Sequence, residues 1–373
     1  MFLRLHRRAK ALFVLSTLIA TVAFVLMTTV ANAAPVSRLP KLGAITPQFT
    51  TVTDAGTSSA VTSNISGTTI PHWSSAFNSG GTNYKYTMVG TNPSDGSVTT
   101  TIPTEIIPLD LSFANGIAFD GTKKVKSTLA SPIFKPASFT SGNTQFGDAM
   151  QRFEFWTYVS TVSKKYHVLL GNPSVYPTVA VNVPASQGGV FITSTNVVIG
   201  LINYHWFGAL ILKELKALNI QPNTFPIFLT YNSLLYIGNT SNCCVIGFHG
   251  DTFVTSPGNT QTFAWASYTD PGIFSVPIDD INALSHEVAE WLNDPFVNNI
   301  VPAWSVPSEP QYGCSNLLEV GDPLVGVAYV LNGYHPQDIA SFSWFARQSP
   351  AITQSGEYSY LGTFTTYSPP CSG

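Results

Sequence analysis

The order of apolar runs between residues 202 and 295 constrains this chain more than any other feature of it. "INYHWFGALILKELKAL" is apolar with Lys213, Glu214 and Lys216 near its end, and predicts a buried helix. "FPIFLTYNSLLYI", "CCVIGFHG" and "QTFAWASYT" are rich in β-branched and aromatic residues, and each predicts a strand. "DDINALSHEVAEWLND" closes the series as a second helix. Leu284, Val288 and Trp291 fall at i, i+4 and i+7 and give it one apolar face. Asp279 or Asp280 can cap its first turn, and Pro295 ends it.

Upstream the chain reads differently. Residues 34–75 are mostly Thr, Ser, Pro and Gly without apolar periodicity, which suits a linker or a loosely ordered N-terminal segment. Residues 76–195 form a strand-rich region. "SVTTTIPTEIIPLDLSF" and "YHVLLGNPSVYPTVAVNVP" read as strands whose prolines confine parts of them to edges or bends. Phe146, Met150, Phe153 and Tyr158 have near-helical spacing and predict a short helix between them. Residues 196–373 form the candidate catalytic region. The fold class expected is α+β: a strand-rich N-terminal half, then a mixed sheet with a long helix that bears the site.

The N-terminus predicts export. Arg4, Arg7, Arg8 and Lys10 precede an apolar run from Ala11 to about Val30, and Ala31-x-Ala33 fits a signal-peptidase site, so residues 1–33 read as a signal peptide. An uncleaved anchor is the alternative, since the run is long enough to span a bilayer. Small residues directly after the run favour cleavage, and with it a secreted or periplasmic protein that no longer holds the membrane. With charged residues only 10% of the chain and a net charge of -3, no basic patch exists to attract nucleic acid. Export permits disulfides among Cys243, Cys244, Cys314 and Cys371, which allow three pairings. Adjacent cysteines seldom bond each other, so Cys243 and Cys244 are expected to reach separately for Cys314 and Cys371.

The chemistry concentrates in "SHEVAEWLNDP". His286 and Glu290 are four apart and stack on one face of the helix, where two side chains can hold one metal ion. In the related His-Glu-x-x-His arrangement the middle glutamate is the general base, the role that falls here to Glu287. Zinc accepts a carboxylate in place of the second imidazole. An added carboxylate lowers the net charge of such a centre, and oxygen-rich ligands also admit Ca²⁺ or Mn²⁺. A third ligand is expected downstream in "LLEVGDPL", where Glu319 is the choice, Asp294 its rival, and Asp322 a residue that orients a ligand. The competing reading is an ordinary capped surface helix with a solvated polar face. His249 and His335 are weaker candidates for contact with substrate, and His205 is expected to pack in or beside the core.

"SHEVAEWLNDP", Trp304 and "EVGD" together resemble a pattern in secreted bacterial and fungal zincin-type metallopeptidases. "YKYTMVG", "TQFGDAMQR", "NCCVIGFHG" and "HPQDIASFSWF" resemble runs in otherwise uncharacterised secreted bacterial proteins. The order helix, strands, helix is also that of a zincin catalytic domain. The resemblance implies a zinc-dependent hydrolase of protein or peptide substrates, with His286, Glu287, Glu290 and Glu319 in the roles above. Two other functions fit the same residues: a glycosidase using a pair drawn from Glu287, Glu290, Glu319 and Asp322, and a binding protein with a structural Ca²⁺.

Overall fold

A computed structural model describes residues 39–53, 69–253 and 260–371, so the expected signal peptide lies outside the described residues. The fold is mixed α/β and rich in strands. Its centre is an 11-stranded mixed sheet. In chain order the strands are β1 (Gln48–Thr53), β2 (Thr104–Phe113), β3 (Ala118–Asp120), β4 (Ser174–Val175), β5 (Val179–Val183) and β6 (Gly188–Ile192). They continue with β7 (Val198–Asn203), β8 (Phe225–Tyr231), β9 (Ser233–Tyr236), β10 (Cys243–Phe253) and β11 (Thr260–Tyr268). The path through the sheet is β4-β2-β8-β11-β10-β9-β7-β6, with β1 added on β10, and β3 and β5 on β2. Parallel pairs β2/β8 and β8/β11 adjoin antiparallel pairs β11/β10 and β10/β9.

Alternation along the central strands divides the core between the two sheet faces. Phe228, Phe248, Phe263 and Trp265 point to one face and meet Phe207, Ile211 and Leu215 of the helix Tyr204–Ala217. Ile227, Leu229, Ile246, Ala264 and Ala266 belong to the other core cluster, together with Leu284, Val288 and Trp291 of the helix Asn282–Asn293. Trp291 anchors that helix, its ring stacked on Phe225 at 3.7 Å and its indole N–H donating to Thr262 Oγ1 at 2.9 Å. All 12 residues of the helix are buried, which excludes a helix with a solvated polar face.

Several local expectations are corrected. The segment 34–75 is not a linker throughout: Gln48–Thr53 is a parallel strand on β10, and His72–Ser79 opens a hairpin with Thr82–Val89. No structural boundary falls at residue 195, because β2 to β6 share the sheet with β7 to β11. "FPIFLTYNSLLYI" breaks into β8 and β9 at Asn232, whose φ of 45° no strand accommodates. Neither Asp279 nor Asp280 caps the Asn282–Asn293 helix by a side-chain bond. Asp280 instead accepts from the backbone N–H of Ile281 and His335. His205 is exposed rather than packed.

The disulfides also differ from expectation. Cys243 bonds Cys244 across a cis peptide, and Cys314 bonds Cys371. The reason lies in what the C-terminal tail touches. Arg347 donates to the carbonyls of Ser368 and Pro369 and to that of Ala303, which lies in the strand Ile300–Trp304. That strand pairs with Ser315–Leu317, so the tail arrives beside Cys314, with 5.9 Å between the two Cα atoms. Cys243 and Cys244 stay buried in the core at the start of β10.

Candidate functional site

The site lies where the Asn282–Asn293 helix crosses β10 and the loop carrying Glu319 and Asp322. His249, His286 and Glu287 have no exposed surface, and Glu290, Glu319 and Asp322 expose at most 7% of theirs. Two glycines make the approach close enough. A Cβ on Gly247 of β10 would collide with the Glu287 carboxylate, and one on Gly321 would collide with the His286 ring.

Glu290 sits at the centre. Its Oε1 is 2.9 Å from His286 Nε2 and accepts the Gly321 N–H at 3.1 Å. Its Oε2 is 3.5 Å from His249 Nδ1. Asp322 Oδ1 lies 3.6 Å from His286 Nε2, and Glu287 Oε2 lies 3.2 Å from His249 Nδ1. Two sets of three side chains therefore converge closely enough to share a cation: His286, Glu290 and Asp322, and His249, Glu287 and Glu290. Glu319 borders the second set, 3.9 Å from His249 Nε2, and belongs to neither. Asp294 faces away, its carboxylate accepting the backbone N–H of Asn298 at 2.9 Å and of Asn299 at 3.1 Å. His335 is separate as well: Asp280 holds its Nδ1 at 2.7 Å.

The loops fix the outer nitrogen of each histidine. Gln337 donates from its amide to Gly321 O at 2.7 Å, which turns Gln337 Oε1 toward His286 Nδ1 at 3.2 Å. Such an oxygen only accepts, so Nδ1 carries a proton and Nε2 is the nitrogen left to face the carboxylates. His249 Nε2 faces the Asp294 carbonyl at 3.2 Å and must donate to it. Held outer N–H groups of this kind are what orient imidazole ligands of metals. Phe49 of β1 stacks on His286 with ring centroids 3.4 Å apart, and its N–H donates to the Tyr312 hydroxyl at 2.9 Å. Tyr312 also hydrogen-bonds Asp322.

Electrostatics follow from this packing. Burial pushes Glu287 up to about 7, with repulsion from Glu290 adding to it and the two histidines opposing it. Burial also raises Glu319 and Asp322 well above the carboxylate range, and repulsion from Glu290 adds to both. Glu290 goes the other way: burial would raise it, but His286 and His249 pull it far below its ordinary value. Burial disfavours a charged His249, yet Glu319, Glu287 and Glu290 together hold its pKa well above the ordinary value.

Four buried polar atoms here have no hydrogen-bond partner: His286 Nε2, Glu287 Oε1, Glu319 Oε1 and Asp322 Oδ1. Orphans at this density are costly, each by about 1–3 kcal/mol and more when charged. An imidazole nitrogen and carboxylate oxygens converging as closely as those of His286, Glu290 and Asp322 fit a divalent cation. Sequence reasoning ranked His249 low and did not reach Tyr312, at the end of the 3-10 turn Pro310–Tyr312, or Gln337, neither of which has any telling spacing. For His249 a signal existed only in three dimensions. Gln48 pairs with Val245 but Phe49 with Gly247, an extra residue in β10 that turns Gly247 and His249 toward the helix. Comparisons with protein families, with curated proteins and with solved structures found no match, so the geometry alone carries the functional reading.

Proposed function

We propose that the chain is an exported, metal-dependent hydrolase of peptide bonds, with a zincin-like arrangement of helix and sheet. The observation that carries this reading is the His286 Nε2 nitrogen, buried, without a hydrogen-bond partner and bracketed by the Glu290 and Asp322 carboxylates. His286, Glu290 and Asp322 would hold the ion, with Asp322 taking the place expected for Glu319. A bound Zn²⁺ would supply Lewis acidity toward a carbonyl and toward water.

Glu287 is the proton carrier. Its Oε2 is fixed by His249, while its Oε1 has no partner. A pKa near 7 suits it to accept a proton from an attacking water and pass it to the leaving amine. The Tyr312 hydroxyl, which hydrogen-bonds Asp322, would hold that carboxylate toward the ion. Export is supported by the N-terminal sequence and by the two disulfides. Among the described residues no helix is long and apolar enough to cross a membrane.

The test is proteolysis of an unstructured protein by wild type and Glu287→Gln, with metal content measured on both. Glu287→Gln should lose roughly 10²–10⁴-fold in rate and retain its metal. Equal activity in the variant, or glycan cleavage that persists in chelator, contradicts the reading.

A further inference from the structure

The two histidines are built alike, and each stands where it could hold a cation of its own. Each has its outer nitrogen committed to a carbonyl oxygen, that of Gln337 for His286 and of Asp294 for His249. Each turns its inner nitrogen toward two carboxylate oxygens, and Glu290 contributes one of them in both cases. A neutral imidazole nitrogen without a proton repels such oxygens. Something positive must lie between them: at His249 Nδ1 a proton shared with Glu287 Oε2 fills that place in the metal-free chain, and a cation can displace it.

The distances at His249 suit coordination. Bonds of 2.0–2.1 Å to a tetrahedral ion place neighbouring donor atoms roughly 3.3–3.4 Å apart. His249 Nδ1 lies 3.2 Å from Glu287 Oε2 and 3.5 Å from Glu290 Oε2. Charge points the same way. Glu287, Glu290, Glu319 and Asp322 are four buried carboxylates, and no lysine or arginine forms an ion pair with any of them among the described residues. Once ionised by bound metal, the four carboxylates are matched by two divalent cations, whereas one matches only two of them.

We propose that the cluster is a two-cation centre: the second divalent ion binds between His249 Nδ1, Glu287 Oε2 and Glu290 Oε2, and Glu290 bridges it to the first. Bridging by the two oxygens of one carboxylate is compatible with the roughly 3.5–4 Å separation typical of paired metal sites. The first position rests on the metal-hydrolase reading above; the second stands on the His249 geometry. It has a consequence for activity. A cation on Glu287 Oε2 withdraws electron density from the carboxylate that moves the proton, so the second equivalent of metal slows a reaction that the first enables.

The experiment is a Zn²⁺ titration of metal-free protein by calorimetry, with bound metal counted by atomic emission after gel filtration, and spin resonance of the Mn²⁺-loaded chain. Wild type should bind two ions per chain, and His249→Ala one. The Mn²⁺ form of wild type should show an exchange-coupled pair, and peptide hydrolysis should rise with the first equivalent and fall several-fold with the second. One ion per chain in wild type, with an uncoupled Mn²⁺ spectrum, overturns the second site and leaves the hydrolase reading intact. No bound metal at all overturns both. The wild-type stoichiometry decides the question even if His249→Ala fails to fold.

Discussion

Two charged clusters lie against the same sheet, and they solve the same problem in opposite ways. Just beyond the ends of β8 and β11, Asp270 accepts Lys124 Nζ at 3.0 Å, Asn232 Nδ2 at 3.0 Å and the Tyr231 hydroxyl. Lys124 also sits over the Tyr231 ring at 4.2 Å. Every charge there meets its partner within the chain. Around Glu290 the four carboxylates meet only two imidazoles, and four polar atoms are orphaned. A self-satisfied cluster ties the Thr122–Ala130 helix to the sheet, whereas the unsatisfied one is, in the function proposed above, the receptor for a cation.

The comparison can be sharpened by moving one side chain at a time. Gly321→Ala should push the His286 ring from its place and weaken metal binding by roughly 10–100-fold, as seen when ligand orientation is lost. Gly247→Ala presses on Glu287 instead, so it should lower kcat with a smaller change in affinity for the ion at His286. Calorimetry and steady-state kinetics on the pair separate the two effects, and equal loss of metal in both would contradict the assigned roles.

The clusters should also answer pH with opposite signs. Burial raises Asp270, but bonds from Tyr231, Lys124 and Asn232 outweigh it and hold the carboxyl below its usual range. Its folded pKa lies below the unfolded one, so its contribution is present above about pH 4 and is lost as pH falls through the folded value. Asp270→Asn should therefore cost about 1 kcal/mol at pH 7, a modest figure because the pair is part-exposed, and less in acid. Glu287 and Asp294 are raised to about 7, so they bind protons more tightly in the folded state. In metal-free protein the stability they contribute is full below about pH 4, and it is lost as pH rises toward 7. Urea unfolding of metal-free wild type and Asp270→Asn across that range measures both slopes.

Much of this was legible in the sequence because the helix carries its own pattern: Leu284, Val288 and Trp291 for the core, His286 and Glu290 for the site. The strand runs were equally legible from their β-branched and aromatic residues. What escaped depended on long-range pairing. "QFTTVT" has no apolar alternation and becomes a strand only because β10 offers it an edge, which brings Phe49 over His286. Strict alternation from Ile246 would turn His249 away from the helix, and the extra residue in β10 reverses that. Asp322 and Glu319 are three residues apart in one loop, and only the path of that loop decides which faces His286.

Thermal unfolding with saturating Zn²⁺ and with excess chelator, on wild type and Glu290→Gln, tests the central claim most directly. A cation at a thousandfold excess over its Kd adds about 4 kcal/mol, which for a chain of this size is a rise in Tm of roughly 5–10 °C. The account predicts that chelator removes this rise in wild type and that Glu290→Gln shows none of it. A wild-type Tm indifferent to both Zn²⁺ and chelator, with no metal carried through purification, would contradict it.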